Sequence, residues 1–125
     1  MNKILKSVLL LLALAAHGLV AAAEPSAKFE GGVLVGAKGM TLYTYDRDAA
    51  GSGKSACDAT CASNWPPFLA EDGAAAAGDY SVVATYNGKK QWAHKGKPLY
   101  YWVKDKKAGD KTGDGVGKVW HIVTP

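Results

Sequence analysis

Helical periodicity is the first thing missing. Beyond Ala23 no run of ten or more residues repeats its apolar positions at helical spacing, which leaves room for at most short helical turns. Catalytic signatures are missing as well. There is no Ser/His/Asp arrangement, no phosphate-cradling loop and no pair of carboxylates placed for acid–base work. Aliphatic residues are scarce: after Ala23 there are thirteen Val, Ile and Leu against twelve Tyr, Trp and Phe. A core with so few leucines has to be built partly from aromatic faces, each carrying a large buried area. Net charge nearly cancels. The formal +4 of the whole chain falls to +2 without Lys3 and Lys6, so there is no electrostatic case for nucleic acid. Histidine is reduced to His94 and His121 beyond residue 23, and cysteine to Cys57 and Cys61.

What is present at the start reads as an export signal. Lys3 and Lys6 form a basic head, Val8 to Ala16 an unbroken apolar stretch, and Ala21-Ala22-Ala23 the small residues a signal peptidase needs, with cleavage expected before Glu24. The apolar run falls short of the roughly 20 residues that span a bilayer. No cysteine stands at the cleavage site, which argues against a lipid anchor. The expected mature chain, Glu24 to Pro125, has 102 residues and no transmembrane segment. It is expected to be one small domain, soluble after cleavage, in the periplasm or outside the cell. Export places Cys57 and Cys61 where a disulfide persists. Residues four apart in a helical turn fall within the disulfide range of Cα separations. So short a loop gains only about 2 kcal/mol in the chain-entropy model, so the bond is expected to shape its own loop.

One stretch recurs. Gly39 to Asp48, GMTLYTYDRD, is matched by Gly96 to Asp105, GKPLYYWVKD. Gly39/Gly96, Leu42/Leu99, Tyr43/Tyr100, Tyr45/Trp102 and Asp48/Asp105 all stand 57 positions apart, as do Lys38/Lys95. A tryptophan closes each unit: Trp65 lies 22 residues after Tyr43, and Trp120 lies 20 after Tyr100. Each unit reads as strand, tight turn, strand, Asp, loop, Trp, with the first copy at about 31–70 and the second at about 88–124. Two such units imply a pseudo-twofold β domain over 31–125 in which neither half buries its face alone.

The remaining pattern is β throughout. Residues 24–30 read as a polar, loose leader. Gly32 to Gly36 and Thr41 to Tyr45 read as a hairpin around Ala37-Lys38-Gly39, with Tyr43 and Tyr45 on one face and Leu42 on the other. Asp58 to Asn64 has room for one helical turn, and Pro66-Pro67 forces the chain to run extended after Trp65. Tyr80 to Tyr86 alternates, Asn87-Gly88 is a strong hairpin turn, and Lys89 to His94 returns. Lys95-Gly96 turns again into a strand from Pro98 to Val103, and Val119 to Val123 closes the chain. The fold class predicted is mostly β: a small domain of antiparallel strands from two pseudo-symmetric strand–turn–strand repeats.

With these features the chain resembles the bacterial secreted-repeat proteins, predicted lipoproteins with a Tyr-x-(Phe/Trp/Tyr)-x-x-Asp motif. The motif reads Tyr43-Thr44-Tyr45-Asp46-Arg47-Asp48 and Tyr100-Tyr101-Trp102-Val103-Lys104-Asp105. The run Cys61-Ala62-Ser63-Asn64-Trp65-Pro66-Pro67 and the terminal Trp120-His121-Ile122-Val123 share the resemblance, which covers Gly31 to Thr124. It implies no established biochemical activity, and without an acylated cysteine it implies no membrane anchor.

Asp48 and Asp105 each follow an aromatic strand. An Asx-type loop clamp is the plainer expectation and a symmetric ligand or cation site the sharper one. Asp105, Asp110 and Asp114 lack the spacing of a recognised calcium loop. Tyr43, Tyr45, Tyr100, Trp102, Trp65 and Trp120 are expected in the core, while Tyr86 and Tyr101 read as outward-facing; aromatics exposed together would offer a stacking platform for a sugar, a peptidoglycan fragment or an aromatic ligand. Cys57 and Cys61 have three residues between them instead of the two of a redox motif. His94 and His121 are too few for a firm metal site, though each would suit zinc or copper beside a carboxylate or thiolate. Lys89, Lys90, Lys95, Lys97, Lys104, Lys106 and Lys107 form a basic stretch that protects edge strands or meets an anionic envelope polymer. The function expected is a non-enzymatic exported domain with a binding or cell-envelope structural role and no cofactor. The alternative is a periplasmic redox or metal-handling protein using Cys57/Cys61 or His94/His121.

Overall fold

In the first copy, strand β2 (Val33–Val35) and the chain at Thr41 and Leu42 run antiparallel, with the Leu42 amide donating to the Leu34 carbonyl at 3.0 Å. A computed structural model describes residues 24–125; the expected signal, Met1–Ala23, lies outside the described residues. The turn between these two segments is tight because Lys38 and Gly39 both take positive φ, 58° and 72°. Lys95 and Gly96 do the same in the second copy, at 49° and 81°. A left-handed pair of this kind suits the right-handed twist of a hairpin, and glycine takes it without a Cβ penalty. That is why a glycine opens each copy of the repeat.

The last three residues of the expected loose leader, 24–30, are a strand instead. Strand β1 (Lys28–Glu30) pairs antiparallel with β2, with Lys28 opposite Val35 and Glu30 opposite Val33. The hairpin reading also needs correcting at Tyr43. There the chain leaves β2 and becomes β3 (Tyr43–Tyr45), which pairs with the closing strand β7 (Trp120–Ile122) at the other end of the sequence. The meander matches expectation: β4 (Tyr80–Ala84), β5 (Lys90–His94) and β6 (Lys97–Pro98) form one antiparallel sheet. Past Pro98 the second motif segment is shorter than a full strand, because its partners change residue by residue. Leu99 pairs with Phe68 and Trp92, and Tyr100 with Tyr43.

The single α-helix among the described residues, α1 (Ala59–Asn64), is set by its ends. The Asp58 carboxylate accepts from the Cys61 amide at 2.9 Å, capping the first turn. Pro66 and Pro67 then prevent continuation. Cys57 and Cys61 are joined as a disulfide across this turn, with Cα atoms 5.2 Å apart. After α1 the chain runs extended and is captured by the second copy. The Tyr101 amide donates to the Pro66 carbonyl at 2.7 Å and the Phe68 amide to the Leu99 carbonyl at 2.9 Å. Residues 71–78 form a small-residue loop.

Two buried clusters make up the core, and strand alternation decides which residue enters which. Leu42 and Leu99 join Leu34, Phe68, Trp92 and Val123 in one. Their neighbours Tyr43 and Tyr100 point the opposite way and join Trp65, Trp120 and Cys57 in the other. Each cluster therefore takes equivalent residues from both copies, and neither copy owns a core. The architecture is the expected small, mostly β domain of short antiparallel strands built from two repeats.

Candidate functional site

Tyr43 and Tyr100 lie opposite each other and exchange both backbone hydrogen bonds, at 2.8 and 3.0 Å. Their side chains then cross between copies. The Tyr43 hydroxyl donates to Asp105 Oδ2 at 2.6 Å, and the Tyr100 hydroxyl donates to Asp48 Oδ2 at 2.7 Å. Each aspartate is placed by a turn, its amide donating to the carbonyl of Tyr45 or Trp102 three residues earlier, at 3.0 and 3.1 Å. The spacing of the motif is thus the length of a strand end plus one turn.

The second oxygen of each carboxylate clamps its own loop. Asp48 Oδ1 accepts from the Ala56 amide at 2.6 Å. Asp105 Oδ1 accepts from the Thr112 amide at 2.9 Å and its hydroxyl at 2.7 Å. The phenol oxygens are occupied too: Ser55 Oγ lies 2.5 Å from the Tyr100 oxygen, and the Gly113 amide donates to the Tyr43 oxygen at 3.1 Å. Lys97 Nζ completes the first clamp by donating to the carbonyls of Tyr45 and Asp48 at 2.9 and 2.8 Å.

The aromatic residues repeat the exchange. Trp65 and Trp120 stack face to face, 3.7 Å apart and 2° from parallel. Outside them lie the motif aromatics, each against the other copy's tryptophan: Trp102 on Trp65 at 4.0 Å, and Tyr45 on Trp120 at 4.2 Å. Within each copy the motif tyrosine meets its own tryptophan edge-on, Tyr43 to Trp65 at 5.4 Å and Tyr100 to Trp120 at 5.1 Å. The result is a column in the order Trp102, Trp65, Trp120, Tyr45. Such pairs contribute about 0.5–1.5 kcal/mol each beyond the area they bury.

Burial determines what this centre can do. Tyr43 and Tyr100 are 0% and 1% exposed, and Asp48 and Asp105 are 3% and 7% exposed, so no cleft reaches them. Burial pushes the Tyr43 and Tyr100 phenols far above their ordinary range, and the adjoining carboxylates add to it. Burial also raises the Asp48 carboxyl, opposed by the Ala56 amide, the Tyr100 hydroxyl and Lys97. The phenols stay protonated as donors, and both oxygens of both carboxylates have partners. The chemistry available is that of a clamp.

A family model described as a secreted repeat of unknown function matches the chain twice, over residues 27–68 and 81–124. The chain belongs to that secreted-repeat family. Its members are exported, and each of the two matches spans one motif and the tryptophan that closes its unit, Trp65 or Trp120. A search of curated proteins and a search of solved structures both find no match. Among the described residues no helix is long and apolar enough to cross a membrane.

The other residues singled out in this secreted repeat lie apart from the clamps. His94 is buried beside Tyr80 and Phe29, at ring distances of 5.3 and 6.0 Å, and burial lowers its pKa. His121 faces Asp46 at 2.9 Å on the surface. Among the described residues no three His, Cys, Asp or Glu groups gather closely enough to hold a metal ion. The basic stretch is not one face: Lys97 is turned inward to the first clamp, and Lys104 lies over the Trp102 ring at 5.7 Å. Tyr86 is exposed, but Tyr101 is not its partner in a platform. Tyr101 packs edge-on against Phe68 at 5.7 Å and accepts from the Ala37 amide at 3.0 Å.

Ser55, Thr112, Gly113 and Lys97 escape a motif-based reading. A signal for three of them exists, since Ser55/Thr112 and Ala56/Gly113 stand at the same 57-residue offset as the motif. No comparable sign marks Lys97, whose counterpart in the first copy is Met40.

Proposed function

We propose that this secreted repeat is a non-enzymatic exported domain with a binding or cell-envelope structural role, acting in the periplasm or outside the cell. The observation that carries this reading is the reciprocal, buried Tyr–Asp exchange. The most distinctive polar groups of the chain are consumed in holding the copies together, which leaves recognition to the exposed loops and hairpins. A rigid domain with a committed interior suits a scaffold that presents surface residues.

The test is fractionation of cells producing the full chain, followed by co-sedimentation of the purified mature protein with washed envelope fragments. The protein is expected in the exported fraction and in the envelope pellet, with Asp48→Asn and Asp105→Asn lowering thermal stability. A protein that pellets with no envelope fragment would contradict the reading. So would an enzymatic activity lost in Asp48→Asn at unchanged stability.

A further inference from the structure

Two open clefts lie side by side around the tip of the β4–β5 hairpin, and they share Leu69 and Lys89. One, of about 310 Å³, runs between α1 and the hairpin tip and is lined by Ser63, Pro67, Leu69, Tyr86, Asn87 and Lys89. The other, of about 300 Å³, continues past Leu69 to Lys90, with Asp72 on its rim. Leu69 and Tyr86 are 48% and 51% exposed, the two largest exposures among the large apolar side chains of the described residues. We infer that these clefts form one binding groove for an acidic polysaccharide, a linear glycan carrying carboxylates. This inference rests on the binding reading above and assigns it a place and a ligand class.

The lining chemistry argues for a sugar chain. An exposed phenol ring and a flanking leucine offer a flat apolar face of the kind a pyranose C–H face covers. Asn87 Oδ1 is held by the Thr85 hydroxyl at 2.6 Å, which orients its amide, and no bond among the described residues uses the Nδ2 donors. Ser63 adds a hydroxyl, itself donating to the Thr60 carbonyl at 2.7 Å and free to accept. Lys89 and Lys90 supply two ammonium groups that form no ion pair among the described residues, against the one carboxylate of Asp72. That balance favours an anion. Two adjoining clefts that share Leu69 and Lys89 offer room for more than one unit of a polymer.

The groove does not suit an extended peptide. Strand addition needs an open edge, and the backbone here is already paired. The Ala70 amide donates to the Lys90 carbonyl at 2.9 Å, the Ala84 amide to the Gly53 carbonyl at 3.0 Å, and the Thr85 amide to the Lys89 carbonyl at 2.8 Å. The same bonds hold the tip rigid, with Lys89 also donating its amide to Thr85 Oγ1 at 2.9 Å. A preformed tip lowers the ordering cost of binding.

The test is affinity electrophoresis of the mature protein through gels containing polygalacturonate, dextran or polyphosphate. Retardation by polygalacturonate above the other two is expected, weakened roughly tenfold by Tyr86→Ala and by Lys89→Glu with Lys90→Glu, and reduced by salt. All three residues are exposed, so melting temperatures are expected to stay unchanged. Lys106→Glu with Lys107→Glu, outside the groove, is expected to leave retardation as it was. Equal retardation by polyphosphate would reduce the effect to charge alone and overturn the glycan assignment. Equal retardation by dextran, or none by any polymer, would overturn the acidic-glycan assignment too. Envelope co-sedimentation that persists in Tyr86→Ala would overturn the groove while leaving the binding reading intact, whereas wild-type protein that pellets with no envelope fails that reading itself.

Discussion

In the first copy, Asp48 is followed by a loop carrying a disulfide and a capped helix before Trp65. In the second, Asp105 is followed by a Gly- and Lys-rich loop with a single 3₁₀ turn, Val116–Lys118, before Trp120. Both loops nevertheless return a backbone amide to the motif carboxylate, from Ala56 in one and Thr112 in the other. Both deliver a tryptophan to the same column. The common requirement is the carboxylate clamp, and the means of bringing the loop back to it is free to differ. One copy uses a covalent bond and a helix cap. The other uses Gly113 slipped beneath the rings: a Cβ there would meet Trp65 and Tyr43 at 2.9 Å and Trp102 at 3.0 Å. At the equivalent place in the first copy, Ala56 already carries a Cβ.

The sharpest way to break this comparison is to remove the cross-copy donors. Tyr43→Phe and Tyr100→Phe each leave a buried carboxylate without its phenol, and each is expected to lose about 1.5–3 kcal/mol, as for a hydrogen bond to a charged group. The midpoint of urea denaturation at neutral pH measures this, and near-equal losses would show that the two clamps remain equivalent despite their different loops. Next in size is the loop asymmetry. Gly113→Ala is expected to cost roughly 1–3 kcal/mol through overpacking of the tryptophan column, with a visible change in near-UV circular dichroism. Ala56→Gly is expected to cost about 1 kcal/mol or less, through chain entropy. Equal losses at the two positions would remove the distinction.

The smallest expected effect uses His94, which stands where the first copy has Ala37. Burial lowers its pKa from the ordinary 6.5, Lys95 lowers it further, and Asp79 opposes both. The unfolded chain therefore takes up a proton below pH 6.5 that the folded chain resists. Stability is full above that pH and declines as the pH falls through it. His94→Gln is expected to flatten the part of the acid decline that begins at pH 6.5, as read from melting temperature against pH.

The repeat was legible because it is written in spacing: a fixed offset of 57 residues ties Gly39 to Gly96, Tyr43 to Tyr100 and Asp48 to Asp105. The meander was legible because Asn87-Gly88 and Lys95-Gly96 turn locally. What spacing does not carry is which copy a side chain serves. Tyr43 lies five residues from Asp48, and nothing in that interval says that its hydroxyl reaches Asp105 instead. The same ambiguity misassigns the partner of Tyr43 to Tyr45, because β3 pairs with a strand about 75 residues away, Trp120–Ile122. The leader is misread for a different reason: Lys28-Phe29-Glu30 is too short and polar to announce a strand, and only the exposed edge of β2 gives it one. Lys97 is invisible because its role depends on two carbonyls of the other copy.

The exchange between copies is most directly tested by double-mutant cycles in urea denaturation, pairing Tyr43→Phe with Asp105→Asn and, separately, with Asp48→Asn. The cross-copy pair is expected to couple by about 0.5–3 kcal/mol and the same-copy pair to be additive within about 0.5 kcal/mol. Additivity for Tyr43 with Asp105, or stronger coupling of Tyr43 to Asp48, would contradict the account.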